Sequence, residues 1–246
     1  MTNGKITTIF FDAADTLFFI KEGLGNTYAG VARKYGADPD TAALRRAFSK
    51  AFRNAPPLAF GGVSGEERKG LEKDWWKKVV TDVYTEVGMF PGFDEHFDEL
   101  FEVFRTEAWT LFPETVPVLE SLKSRCYKLG IISNFDSRVY DVMERLGIYD
   151  YFDTFVISSE AGFAKPSHGI YLAALEKAGV DPGESIHVGD DLRNDFHGPR
   201  ALGIRAILLD REGEYASLER MDRIGDLTGL ESYLNDSGAS GLKAEG

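Results

Sequence analysis

The stretch Lys5-Ile6-Thr7-Thr8-Ile9-Phe10-Phe11-Asp12-Ala13-Ala14-Asp15-Thr16-Leu17-Phe18 decides how the chain is read. Ile6 to Phe11 is short, β-branched and aromatic, and carries no charge. Such a run predicts a strand buried on both faces. It ends in a carboxylate, Asp12, followed by two alanines, a second carboxylate, Asp15, and a hydroxyl, Thr16. In an open parallel sheet, ligands bind just beyond the carboxyl ends of the strands. A carboxylate at that point can serve as a nucleophile or as a metal ligand. Asp also caps turns, and this segment alone leaves both readings open.

The second half of the chain supplies the rest of the sheet. From Thr115 the pattern alternates between helix and strand. Val116–Arg125 predicts an amphipathic helix and Lys128–Ile132 a strand that ends in Ser133-Asn134. Asp136–Leu146 predicts a helix closed by Gly147, and Phe155–Ser158 a strand. Ala164-Lys165-Pro166 opens a helix to Ala178, and Ser185–Val188 is a strand ending in Gly189-Asp190-Asp191. Asp191–Leu202 reads as helical and Arg205–Leu209 as a strand. Strands alternating with helices of this length imply an α/β fold, a doubly wound parallel sheet with right-handed crossovers.

Between the first strand and Thr115 the reading is helical. Ile20–Gly25 holds two glycines and suggests a hinge or flap. Asp38-Pro39 offers an N-cap and first-turn proline for a helix to Asn54. Ser64 with Glu67 makes a capping box for a long helix that ends at Gly88. A further helix covers Asp94–Phe104, and the block carries no strand signal. Pro56–Val63, with Phe60 and a Gly pair, is a loop: either a plain connection or a lid tip that touches substrate. The division expected is a core of residues 1–18 and 112–235, a helical insert of 19–111, and a polar, disordered tail from 236.

Composition narrows the function classes. The chain has 246 residues and a formal net charge of −12, which argues against nucleic acid or an anionic membrane as the main partner. One cysteine, Cys126, precludes an internal disulfide; it is expected as a half-buried helix residue. No apolar run is long enough to span a bilayer, and no signal-peptide pattern is present. A cytoplasmic protein is expected. Nothing in the sequence sets the oligomeric state.

Four groups fall at strand ends or helix starts: Asp12 with Thr16, Ser133 with Asn134, Lys165, and Asp190 with Asp195. A parallel sheet brings all of them to one edge. Asp12, Asp190 and Asp195 offer hard oxygen ligands suited to Mg²⁺. Ser133 and Asn134 can donate hydrogen bonds to a phosphoryl group. Lys165 supplies a positive charge to offset the carboxylates and a transferring group.

Taken in order, FFDAADTL, GIISN, AKP and VGDDLRNDFHGPRALG resemble the four motifs of the haloacid dehalogenase superfamily, each at its expected structural boundary. The resemblance spans Ile6 to about Asp210. The helical insert resembles the cap of that superfamily, here in its phosphatase-like branch. The resemblance implies a Rossmann-like core and a Mg²⁺-dependent hydrolase of a small phosphorylated metabolite. Asp12 would be the nucleophile forming an aspartyl intermediate. Thr16, Ser133, Asn134 and Lys165 would hold the transferred group. Asp190, Asp195 and the backbone carbonyl of Ala14 would complete the metal site, with Asp191 as an accessory carboxylate.

One position departs from that pattern. Phosphatases of the superfamily carry a general acid/base Asp two residues after the nucleophile, and here that residue is Ala14. Asp15 stands where the family usually has Gly; it can substitute for the missing acid or cap a turn. Two other classes therefore stay open: carbon–halogen or carbon–phosphorus cleavage, and a non-catalytic binding member. Carbon–phosphorus cleavage would use an insert lysine to form a Schiff base, for which Lys50, Lys69, Lys73, Lys77 and Lys78 are available.

Overall fold

The computed structural model describes residues 5–218 and 221–239. The chain runs β1 (Thr8–Phe11), β2 (Phe18–Ile20), then α1 (Leu24–Lys34), α2 (Thr41–Asn54), α3 (Gly65–Val87), α4 (Phe93–Thr106) and β3 (Trp109–Leu111). Helix and strand then alternate: α5 (Thr115–Ser124), β4 (Lys128–Ser133), α6 (Arg138–Arg145), β5 (Thr154–Ile157), α7 (Ser158–Ala161), α8 (His168–Ala178) and β6 (Ser185–Gly189). A π-helical turn (Leu192–His197) leads into α9 (Gly198–Arg200), followed by β7 (Arg205–Leu209), β8 (Arg223–Ile224) and α10 (Leu230–Ala239).

Among the described residues, six strands form one parallel sheet in the order β5-β4-β1-β6-β7-β8. The uncharged β1 lies near its middle and is buried throughout, as a strand covered on both faces must be. One face packs Ile9, Phe11, Ile131 and Val188 against α5 and α6 through Leu119, Val139 and Met143. The other packs Phe10 and Ile132 against Ile170, Tyr171 and Ala174 of α8. A separate apolar cluster lies wholly within α1–α4, built on Tyr28, Leu44, Val83, Tyr84, Phe97 and Leu100. The insert thus holds itself together with its own buried side chains.

Several expectations give way, each for a local reason. The insert ends in a strand after all: β3 pairs antiparallel with β2, Phe18 opposite Leu111 and Ile20 opposite Trp109. Three residues cannot display a period of two, but the edge-on contact of the Phe18 and Trp109 rings holds them together. β8 escapes for the same reason; its two residues are fixed by backbone bonds from Leu208 to Asp222 and from Asp210 to Ile224.

The α2 cap is Asp40, whose carboxylate accepts from Ala43 N–H at 2.7 Å, while Asp38 is taken by Arg33. Ser64 does precede α3, but it makes no capping hydrogen bond, and Gly65 enters with a φ of 61°. The helix expected from Asp136 starts at Arg138 because the Asp136 carboxylate accepts both the backbone N–H and the guanidinium of that residue. The helix expected over Asp191–Leu202 is a wide π turn followed by the short α9. Cys126 is exposed, in the turn after α5 with a φ of 63°. Of the tail expected to be disordered from 236, α10 includes residues up to Ala239, and 240–246 lie outside the described residues.

Candidate active site

The register of the three central strands builds the site. Phe11 lies opposite Ile131 of β4 and Val188 of β6. The next residues, Asp12, Ser133 and Gly189-Asp190, therefore leave the sheet at one carboxyl edge, where open α/β sheets bind ligands. Asp12 N–H makes a last ladder bond to the Val188 carbonyl at 2.9 Å. The chain then folds into a tight turn, with Asp15 N–H on the Phe18 carbonyl at 2.7 Å and Leu17 N–H on that of Ala13 at 2.8 Å. Asp15 takes a left-handed φ of 61°, a conformation Asp tolerates better than most residues.

A connected set of polar groups follows. Lys165 is 6% exposed, and its Nζ donates to Asp12 Oδ1 at 2.7 Å and to Asp195 Oδ1 at 2.6 Å. The same Asp195 oxygen lies 2.9 Å from His187 Nε2, and Oδ2 accepts from the Asp191 N–H. Thr16 is fully buried, and its hydroxyl donates to Asp190 Oδ1 at 3.0 Å. Gly189 makes room for this arrangement: a Cβ there would overlap the carboxyl group of Asp195.

The remaining expected residues have distinct positions. Asn134 turns its amide toward the backbone of Lys165. Its Oδ1 accepts from Lys165 N–H at 2.7 Å and its Nδ2 donates to the Lys165 carbonyl at 2.9 Å. Ser133 is buried as the last residue of β4. Asp191 caps the π turn by accepting from the N–H groups of Arg193 and Asn194. Ala14 and Asp15 line a cavity under the insert. The Pro56–Val63 loop docks instead on α7 and the glycine after it: Phe60 N–H donates to the Ser159 carbonyl at 3.1 Å, and Gly61 abuts Gly162.

Charge in this cluster is unbalanced. Asp12, Asp190 and Asp195 each place a carboxylate oxygen within 4.8 Å of the other two. Burial works against the charge of Lys165, but the Asp12 and Asp195 carboxylates outweigh it and keep the ammonium firmly protonated. Burial likewise raises Asp195, and Lys165 with His187 more than reverses this, holding it well below the usual carboxylate range. Asp12 is raised by burial and by Asp195, against the pull of Lys165. Asp190 is pushed up to about 8 by burial and by Asp12, Asp195 and Asp15, opposed by the Thr16 hydrogen bond. Three close carboxylates served by one lysine suit a small divalent cation with oxygen preference. Asp190, which forms no ion pair among the described residues, is the group such a cation would relieve most.

Sequence reasoning misses four contributors. His187 gives only the weak signal of a histidine in a buried strand. Tyr171, fully buried on α8, donates its hydroxyl to the Asn194 carbonyl and steadies the π turn. Arg211 ties the Asp15 turn down, donating to the Thr16 carbonyl at 3.0 Å and to Glu114 at 2.7 Å. Arg138 chelates Asp136, which also accepts from Trp76 Nε1 of the insert. No spacing rule marks the last two.

A parallel α/β sheet with a lysine-linked carboxylate cluster at its carboxyl edge, and a helical insert after its first strand, defines a class of hydrolase. Residues 6–203 match the haloacid dehalogenase-like hydrolase family, and the chain belongs to it. It is 32% identical to the mouse (Mus musculus) "Haloacid dehalogenase-like hydrolase domain-containing protein 3" over 83% of this chain and 82% of that one. A "Glyceraldehyde 3-phosphate phosphatase" of Methanothermobacter thermautotrophicus is 37% identical over 63% of this chain and 76% of its own. Among solved structures, a HAD phosphatase from Thermococcus onnurineus superposes with a TM-score of 0.64 at 25% identity, covering 93% of this chain and 98% of that one. Solved 2-haloacid dehalogenases share the fold as well. Among the described residues, no helix is long and apolar enough to cross a membrane.

Proposed function

We propose that the chain is a Mg²⁺-dependent phosphatase of a small phosphorylated metabolite. The observation that carries this reading is the set of three carboxylates at one sheet edge with a single lysine among them. Mg²⁺ would be held by Asp12, Asp190 and Asp195 with the Ala14 carbonyl, and when bound it offsets their charge and polarises phosphoryl oxygens.

In this reading one Asp12 oxygen attacks phosphorus as the bond from phosphorus to the ester oxygen breaks. Water then attacks the aspartyl phosphate, releasing inorganic phosphate and restoring the carboxylate. Lys165 keeps its proton and offsets charge on the transferring group. Thr16 and Ser133 hold phosphoryl oxygens. Asn134 acts through the Lys165 backbone and so positions the lysine, and His187 does the same for Asp195. Ala14 provides no acid for the leaving oxygen, and Asp15, exposed and lining the cavity, takes that role in this reading.

Among the two alternatives, carbon–phosphorus cleavage through a Schiff base finds little support. Lys50, Lys69, Lys73, Lys77 and Lys78 are each paired with an acidic residue of the insert's own helices, and none lines the cavity. Phosphate and halide release, measured with Mg²⁺ and with chelator over phosphomonoesters and 2-haloacids, test the proposal. Phosphate release that needs Mg²⁺ and is lost in Asp12→Asn is expected. Halide release without metal would overturn it, and metal binding with no turnover would leave a binding protein.

A further inference from the structure

We infer that the leaving group this site takes is an aromatic or compact apolar alcohol, not a polyol or a sugar. The inference rests on the phosphatase reading above and concerns the cavity that adjoins the cluster.

That cavity, of about 250 Å³, touches the core at Ala14, Asp15 and the end of β4 at Asn134, so whatever is esterified to a phosphoryl group beside Asp12 points into it. Its walls come from the insert and are apolar: Leu24, Phe48, Val80, Phe97 and Leu100 among them. The polar side chains in those walls are spent on protein partners. Trp76 Nε1 donates to Asp136 and Trp109 Nε1 to the Phe104 carbonyl. Arg138 chelates Asp136 with two nitrogens, donates to the Phe101 carbonyl with another, and lies 3.9 Å from the Phe101 ring centroid. Its charge is therefore committed, and among the described residues the lining holds no other cation for a second phosphate or a carboxylate. The Asn134 amide gives its oxygen and one N–H to the Lys165 backbone, which leaves one N–H.

What is left is the Tyr28 hydroxyl, on a residue 2% exposed and without a hydrogen-bond partner among the described residues, one N–H of the Asn134 amide, and the carboxylate of Asp15 at the floor. A glycerol or sugar moiety would lose the water on several hydroxyls and recover one or two hydrogen bonds, and each buried hydroxyl left unpaired is costly. An aromatic ring leaves the walls satisfied and gains their apolar contact. The alcohol that fits carries at most one further polar group, placed for Tyr28.

The test separates polarity from leaving-group chemistry by comparing esters of alkyl alcohols only. Benzyl phosphate and 2-naphthylmethyl phosphate are set against glycerol 3-phosphate and glucose 6-phosphate, with Mg²⁺. We expect kcat/KM for the apolar pair to exceed the polar pair by about tenfold to a hundredfold, the discrimination one buried ring supplies. That ratio should shrink in Leu24→Phe, which fills the cavity, and in Phe48→Asn, which makes its wall polar. Equal or better turnover of the polyol esters would overturn the inference and leave the phosphatase reading intact. If no phosphate ester turns over, the phosphatase reading fails, and quenching of tryptophan fluorescence by 2-naphthalenemethanol decides the cavity on its own. Saturable quenching weakened by Leu24→Phe supports it; absence of quenching overturns it.

Discussion

Asn134 grips the backbone of Lys165 from both sides, its amide oxygen on the N–H at 2.7 Å and its amide nitrogen on the carbonyl at 2.9 Å. The two residues stand 31 positions apart in sequence, at the end of β4 and before α8. One side chain therefore locates the ammonium that bridges Asp12 and Asp195.

Asn134→Ala removes both bonds and leaves a partly buried N–H and C=O unpaired. Stability should drop by about 1–3 kcal/mol. If Lys165 has the catalytic role proposed above, turnover should fall by roughly tenfold or more as it loses its placement. Thermal melts and steady-state kinetics on one substrate check both. A loss in KM alone, with kcat unchanged, would argue for direct contact with the phosphoryl group.

Asp190→Asn should greatly weaken Mg²⁺ binding, because it removes a charged hard ligand while preserving the Thr16 contact. In the parent, Mg²⁺ at a hundred times its Kd should raise stability by about 2.7 kcal/mol, and chelator should reverse this. Unchanged affinity of Asp190→Asn in calorimetry would remove Asp190 from the metal site.

If the proposed phosphatase lacks its proton donor at Ala14, Ala14→Asp should supply one. Aryl esters leave without much protonation, so the parent should turn them over faster than alkyl esters of equal bulk. The variant should gain most on alkyl esters, by at most roughly 10²–10⁴-fold. Kinetics on both ester types, for the parent, Ala14→Asp and Asp15→Asn, check the assignment. Efficient alkyl turnover that collapses in Asp15→Asn would show that the exposed Asp15 has taken the role.

His96 should make the insert acid-sensitive. It is fully buried on α4, 3.1 Å from the Tyr84 hydroxyl, with the Tyr35, Phe90 and Phe93 rings around it. Burial pushes its pKa down to about 4 from 6.5, although Glu99 opposes the shift. Between pH 6.5 and 4 the unfolded chain binds a proton that the folded insert refuses, so stability falls as pH falls through that window. Above it, this residue contributes no slope. The loss should be on the order of 2 kcal/mol once screening is allowed for. Denaturant melts of the parent and His96→Gln from pH 7 to 4 measure it as the difference between the two slopes.

The parts legible in sequence are those set by local pattern. The buried strands β1, β4, β6 and β7 announce themselves by uncharged or β-branched runs, and the carboxylates at their ends follow from register alone. Asp12, Lys165, Asp190 and Asp195 were therefore readable as one neighbourhood. The use each polar side chain makes of its hydrogen bonds was not. Asn134 has the same identity whether it faces a phosphate or a lysine backbone, and only the path of the chain around Lys165 decides. The same holds for Arg138, whose charge is cancelled by a residue two positions earlier, and for Phe60, which a Gly pair marks as a loop without saying where that loop lands.

Both passages of the chain between sheet and insert run side by side in the β2–β3 ribbon, locked in register from Phe18 with Leu111 to Ile20 with Trp109. Such a stem bends as one strip, so the insert is attached as a page is to a spine and not by two independent tethers. The turn of that stem begins at Ala14 and Asp15, the same residues that floor the cavity. A change in the angle of the page would therefore reach the Asp12 end of the cavity through Ala14 and Asp15 first.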